Sequence, residues 1–195
     1  MIAPLRLPLI GASLLALAAC GGPEYRYSVP VSAPVARVAV SASSIEVRDV
    51  MLPTYASLEE IYTGQAGGLI QSQPDLLWAD EPGRAATLEL SRDLGIITGA
   101  RVAPEPWPFD DYADARVEVR VEEFLATLPG EETPGSFRIS GQYFVATLDA
   151  EGRDRAARFD VAAAAPAGSG IAGVAAARAA AMAQLAETIA REGLR

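Results

Sequence analysis

From Arg116 onward the chain alternates with a period of two, with Val117, Val119 and Val121 on one side and Arg116, Glu118, Arg120 and Glu122 on the other. Successive side chains of a strand point to opposite faces, so this stretch predicts a strand with one buried and one wet face. Phe124 breaks the parity, which places a bulge near Glu122-Glu123. Phe137 to Leu148 and Arg155 to Ala163 read as two more strands joined at Asp149-Ala150-Glu151-Gly152, and with Arg116 to Leu128 they predict an antiparallel meander. The period then changes. Met182, Leu185 and Ile189 line one face of a helix over about Ile171 to Glu192, and Glu187 and Arg191 are spaced to pair one turn apart.

The first half is less regular. Val38/Val40 and Ile45/Val47 predict a half-buried strand within Ala36 to Val50, irregular near Ser43-Ser44 and ended by Pro53. Glu60 to Thr63 and Leu69 to Gln71 flank Gly64-Gln65-Ala66-Gly67-Gly68 as a short hairpin. Asp80 is placed to cap a helix over Glu81 to Leu94, with Leu90, Leu94 and Ile97 at helical spacing. A brief strand at Arg101 to Ala103 precedes a loop that Pro104, Pro106 and Pro108 force around Trp107. This order predicts an α+β domain over residues 35–195, a mainly antiparallel β-sheet with two helices packed on one face.

Ahead of that domain the pattern is continuous rather than periodic. Arg6 and the apolar run Leu7 to Ala19 have secretory-signal length, and the run is too short to span a bilayer, which takes about 20 apolar residues. Leu17-Ala18-Ala19-Cys20 resembles a bacterial lipobox. The resemblance implies that residues 1–19 are removed, that the Cys20 thiol takes a diacylglycerol, and that the new amino terminus is acylated as well, with palmitate as the expected chain. Gly21 and Gly22 follow with no aspartate beside Cys20, the pattern of release to the outer membrane. Residues 20–34, rich in Gly, Pro, Ser and Tyr, read as an acylated cysteine and an extended tether.

Composition narrows the chemistry. The 195 residues carry 16 basic against 25 acidic side chains, a formal net charge of −9, which disfavours nucleic acid and anionic lipid surfaces. Every basic residue is arginine, histidine is absent, and an acylated Cys20 could not serve as a nucleophile, a metal ligand or half of a disulfide. Gly168-Ser169-Gly170-Ile171-Ala172-Gly173 matches a dinucleotide fingerprint, but no strand pattern follows, and Glu187 and Glu192 sit on the same helix. These glycines read as a flexible linker. Asp110, Asp111 and Asp114 read as a solvated loop rather than a Ca²⁺ site, because the spacing lacks the glycine and distal glutamate of an EF-hand. The pairs Glu59-Glu60, Glu122-Glu123 and Glu131-Glu132 do not make a two-carboxylate hydrolase, since neighbours on a strand face opposite ways. No catalytic residues, cofactor or metal are expected.

Several stretches together resemble the PqiC (paraquat-inducible, YmbA-like) family of auxiliary lipoproteins of ABC-type intermembrane transport. They are Ile45-Glu46-Val47-Arg48-Asp49-Val50-Met51-Leu52-Pro53-Thr54-Tyr55, Glu60-Ile61, Leu77-Trp78-Ala79-Asp80-Glu81-Pro82, Pro106-Trp107 and Val117-Glu118-Val119-Arg120-Val121-Glu122-Glu123-Phe124. The resemblance implies a non-enzymatic adaptor, lipid-anchored to the periplasmic face of the outer membrane. Its partners would be an MCE-domain protein and an inner-membrane permease and ATPase that move phospholipid. Pro53, Tyr55, Trp78 and Trp107 are candidate partner-binding residues. A structural or assembly lipoprotein that contacts peptidoglycan or an outer-membrane β-barrel is the alternative, and homo-oligomerisation is left open.

Overall fold

The computed structural model describes residues 24–148 and 153–195; Cys20, the signal segment and the Asp149-Ala150-Glu151-Gly152 stretch lie outside the described residues. Eight strands and two helices follow in the order β1 (Arg26–Tyr27), β2 (Ser44–Val47), β3 (Glu60–Gly64), β4 (Ile70–Trp78), α1 (Pro82–Thr98), β5 (Arg101–Pro104), β6 (Ala115–Thr127), β7 (Gly135–Thr147), β8 (Arg155–Ala165) and α2 (Gly170–Thr188). A π-helical turn, Ile189–Gly193, ends α2.

The meander forms as the alternation requires. β6 pairs antiparallel with β7 and β7 with β8, and the β6 register shifts between Val121 and Glu123, where the parity change put a bulge. Val117, Val119 and Val121 are buried with Phe137, Ile139, Tyr143 and Val145 of β7. Their alternate neighbours form a charged outer face, on which Arg138 Nη2 reaches Asp160 at 2.5 Å and Arg158 Nη2 reaches Glu122 at 2.5 Å. α2 packs across the inner face of β7 and β8, and α1 packs against α2 and β5.

The other edge of β6 forks. Its first residues pair with β2 and its last with β3, both parallel, so the sheet order runs β1-β4-β3-β6-β2-β5 with β7 and β8 beyond β6. The sheet is therefore mixed, with its long pairings antiparallel. β2 also pairs parallel with β5, because the chain returns through the crossover helix α1. The strand expected over Ala36 to Val50 is only four residues long, since β2 fits between β5 and β6 just where both are present.

Three further expectations shift. Asp80 is not the N-cap of α1. Pro82 supplies the first helical residue, and the extended Glu81 before it folds its carboxylate back onto Gly83 N (2.9 Å) and Arg84 N (2.5 Å). α1 also runs past Leu94 to Thr98, because Ile97 is buried and Gly99, at φ 72°, supplies the left-handed stop. Gly168 to Gly173 is not a flexible linker. Gly168 N donates to Gly130 O at 2.8 Å, Gly168 and Gly170 hold positive φ, and β8 before them pairs only with β7, so no parallel strand pair cradles a nucleotide.

The segment after residue 24, read as tether, is extended but lies on the domain. Arg26 and Tyr27 pair parallel with Leu77 and Trp78, the Ser32 hydroxyl donates to buried Asp93 on α1, and Val38 N donates to Ile97 O at 3.0 Å.

Candidate functional site

The sequence candidates divide into one buried group and one exposed one. Pro53, Tyr55 and Trp78 come together around the fork in the sheet. Residues 48–55 descend the second edge of β6: Arg48 N donates to Val117 O (2.8 Å), Met51 N to Val119 O (3.0 Å), and Val121 N to Met51 O (2.8 Å). Pro53 turns the chain into a 3₁₀ helix, Thr54–Ser57, which carries Tyr55 to the bulge. There Phe124 N donates to the Tyr55 hydroxyl at 3.0 Å, so Tyr55 satisfies a backbone group that neither β2 nor β3 reaches. Burial pushes that phenol's pKa up, while the hydrogen bond from Phe124 opposes it.

Trp78 is buried and does not present a partner-binding surface. It closes β4 onto the core, edge-on to Phe137 at 6.1 Å, and Phe137 in turn meets Phe124 at 4.8 Å. Over Trp78 and Phe124 lies a residue the sequence reading passed over. The guanidinium carbon of Arg178, from the middle of α2, stands 4.8 Å from the Trp78 ring centre and 5.1 Å from that of Phe124.

Arg178 is 0 % exposed and has one charged partner, Glu89 of α1, at 3.0 Å from its Nη2. Its Nε and Nη1 have no hydrogen-bond acceptor, nor does Glu89 Oε2 have a donor, so the aromatic faces carry part of the electrostatic compensation. Burial pushes the Glu89 carboxyl up and the Arg178 guanidinium down, and each charge holds the other partly back. One turn further along α1, the buried Asp93 carboxyl is likewise pushed up by desolvation, opposed by the Ser32 hydroxyl and by Arg92. A cavity of about 220 Å³ lies beside this cluster, walled by Tyr27, Val29, Glu89, Arg92 and Arg178. The signal for Arg178 was in the sequence as a lone charge in Ala175-Ala176-Ala177-Arg178-Ala179-Ala180-Ala181. Interrupting an apolar helix is costly unless the charge is paired inside.

Trp107 stands apart at the Ala115 end of β6. It is half-buried, its Nε1 donates to Asp111 O at 2.7 Å, and its ring meets Phe109 edge-on at 4.9 Å. Arg101 covers both rings, at 5.5 and 4.5 Å, and its guanidinium holds the Asp111 carboxyl below the usual range. Phe109 and Tyr112 are exposed beside it, Tyr112 at 91 %. Asp114 is spent internally. Its Oδ2 accepts from Ser43 N (2.8 Å), Ser43 Oγ (2.6 Å) and Ser44 N (3.0 Å), which fixes the start of β2. Among the described residues no group of three metal-ligating side chains is assembled, and no helix is long and apolar enough to cross a membrane.

A family model described as ABC-type transport auxiliary lipoprotein component matches residues 25–190, from the start of β1 to the final helical turn. No curated protein matches in sequence. Among solved structures, protein XCC0632 from Xanthomonas campestris, of the DUF330 family model, superposes with a TM-score of 0.67 at 16 % identity, over 87 % of this chain and 94 % of that one. An uncharacterized protein superposes with a TM-score of 0.65 at 17 % identity, over 86 % and 96 %. A PelC dodecamer from Paraburkholderia phytofirmans reaches 0.46 at 12 % identity, over 80 % and 95 %. At these identities the first two establish a shared fold.

Proposed function

Since the chain belongs to the ABC-type transport auxiliary lipoprotein family, we propose that it is the non-enzymatic docking adaptor of an MCE/ABC-type intermembrane phospholipid transport system. In this reading lipid at Cys20 holds it to the periplasmic face of the outer membrane. The observation that carries the reading is the span of the family match, which takes in both helices and every strand. The same elements that build the core are those the family shares.

The architecture suggests which end does what. β1 runs antiparallel to β6, so the chain enters from the Thr127 end of the sheet, and the aromatic group at Trp107, Phe109 and Tyr112 lies at the opposite end. Exposed aromatics flanked by an arginine are the composition of interface hot spots. We assign the MCE-domain partner to that end. The chain's formal net charge of −9 favours a basic partner surface, and association would slow as salt screens the attraction.

Affinity capture of the full acylated chain from envelope extracts, read by mass spectrometry, tests the assignment. Recovery of an MCE-domain protein with its permease and ATPase is expected. Tyr112→Ala should reduce that recovery while shifting stability by only about 0.5 kcal/mol or less, since Tyr112 is 91 % exposed. Recovery of peptidoglycan or a β-barrel assembly factor instead would replace the adaptor by an assembly lipoprotein.

A further inference from the structure

The β3–β4 hairpin presents an uncharged surface. No charged residue occurs between Glu60 and Asp75, in a chain of which 21 % is charged. The hairpin tip, crossed by a 3₁₀ turn at Ala66–Gly68, ends in two adjacent exposed aliphatics, Leu69 at 62 % and Ile70 at 40 %. Neither packs on the core. Their exposure is a cost in water unless something covers them.

Chain geometry indicates what does. β1 pairs parallel with the far end of β4, Arg26 opposite Leu77, and Glu60 of β3 is opposite the same Leu77. The chain therefore enters Arg26 from the side of the tip. From Glu60 to Gly64 the hairpin rises four residue steps, ~13 Å at the usual strand rise, and the turn adds a few ångströms more. Between Cys20 and Arg26 there are six steps, with a reach of ~20 Å at most. That reach is enough to match the height of the tip above Arg26. A membrane holding an acylated Cys20 can therefore come level with Leu69 and Ile70.

We propose that the hairpin tip is a membrane-contact element, in which Leu69 and Ile70 enter a zwitterionic lipid leaflet beside the acyl chains on Cys20. The proposal rests on the lipobox reading of Leu17 to Cys20. The uncharged hairpin meets no electrostatic penalty at such a surface. Glu131 and Glu132, exposed in the β6–β7 connection at the same end, oppose an anionic leaflet. The tip acts as a second contact beside the covalent anchor, and it sets the domain's orientation so that the Trp107 end points away from the membrane.

Because Cys20 is the only cysteine and its sulfur is acylated in the mature chain, Leu69→Cys introduces a single free thiol. The acylated full chain carrying an environment-sensitive fluorophore at position 69 is placed in phosphatidylcholine vesicles, with and without bromine on the acyl chains. Tyr112→Cys, labelled in the same way, reports the opposite end. The brominated lipid is expected to quench the probe at 69 at least twofold more than the probe at 112. Equal quenching, with the intact mass showing the diacylglycerol, overturns the hairpin contact and leaves the lipoprotein reading standing. Such a result would place the tip in solvent or against a protein. Stronger quenching at 112 reverses the orientation and overturns it as well. An intact mass without diacylglycerol overturns the lipobox reading and the hairpin assignment together. Double substitution Leu69→Ser with Ile70→Ser, probed at 112, gives the second readout. Reorientation is expected as a rise in quenching there, and no change counts against the proposal.

Discussion

Arg178 holds four elements at one point: α2, which carries it, α1 through Glu89, and β4 and β6 through the rings of Trp78 and Phe124. Removing one partner of a buried pair leaves the other uncompensated, so Arg178→Met should cost about 3–5 kcal/mol at pH 8. The loss should depend on pH in a defined sense. Burial already raises the Glu89 carboxyl, and the guanidinium lowers it, so the variant's folded-state pKa climbs further above its unfolded value. A carboxyl raised on folding contributes stability at low pH that is lost as pH rises through its folded pKa. The variant takes up its proton first as the pH falls, so its deficit against wild type shrinks between pH 8 and pH 5. Urea midpoints at several pH values check this, and a deficit independent of pH would show that Glu89 remains ionised without its partner. At this scale the sequence reading was least complete. Tyr55 and Trp78 stood out as aromatics beside turns, yet nothing local says that one completes the edge of β6 and the other faces a buried cation, because both roles depend on residues about 70 and 100 positions away.

Strands and helices were more legible, for physical reasons that differ between them. The meander could be read because each of its strands is long, faces water on one side and pairs with a neighbour in sequence, so alternation survives in the residues. β2 could not, because it is four residues long and buried throughout, and its boundaries are set by β5 and β6 rather than by its own pattern. The bulge was announced by Phe124, and the structure adds its counterpart across the strand. Gly141 pairs with Val121, and a Cβ there would lie 2.2 Å from Arg120 O and 2.9 Å from Val121 Cα. Gly141→Ala should therefore force β6 and β7 apart and cost on the order of 3 kcal/mol. Gly95 in α1 makes the contrast, since its added Cβ would meet only Val102 at 3.8 Å. Gly95→Ala should gain roughly 0.5–1 kcal/mol by lowering the entropy of the unfolded chain. On the inner face, Val119→Ala should cost on the order of 1–3 kcal/mol, whereas Glu118→Ala on the outer face should cost under about 0.5. Thermal midpoints of the four variants measured together would expose any error in these face and contact assignments.

Across the whole molecule, residues 26–38 cross the domain through three attachments: Tyr27 beside Trp78 of β4, then Ser32 at Asp93 and Val38 at Ile97, one turn apart on α1 toward the Ala115 end of the sheet. Ser32→Ala should release the middle of that line and leave Asp93 buried without its hydroxyl donor. Faster hydrogen exchange confined to residues 28–37, with the meander unchanged, is the expected outcome. Uniform exchange across the chain would show that the segment and the core open as one unit. Mechanically, the last two supports leave slack between them, since Asp93 and Ile97 are one helical turn (~6 Å) apart on α1, while the six residue steps from Ser32 to Val38 can extend to ~20 Å. Tension arriving from residues before 24 would load β1 and the Ser32 hydroxyl first, and would reach the Val38 amide only once that slack is drawn out. Such a segment acts as a shock absorber, so a small displacement at the amino terminus is taken up between Ser32 and Val38 before it reaches the C-terminal end of α1 and the root of β2.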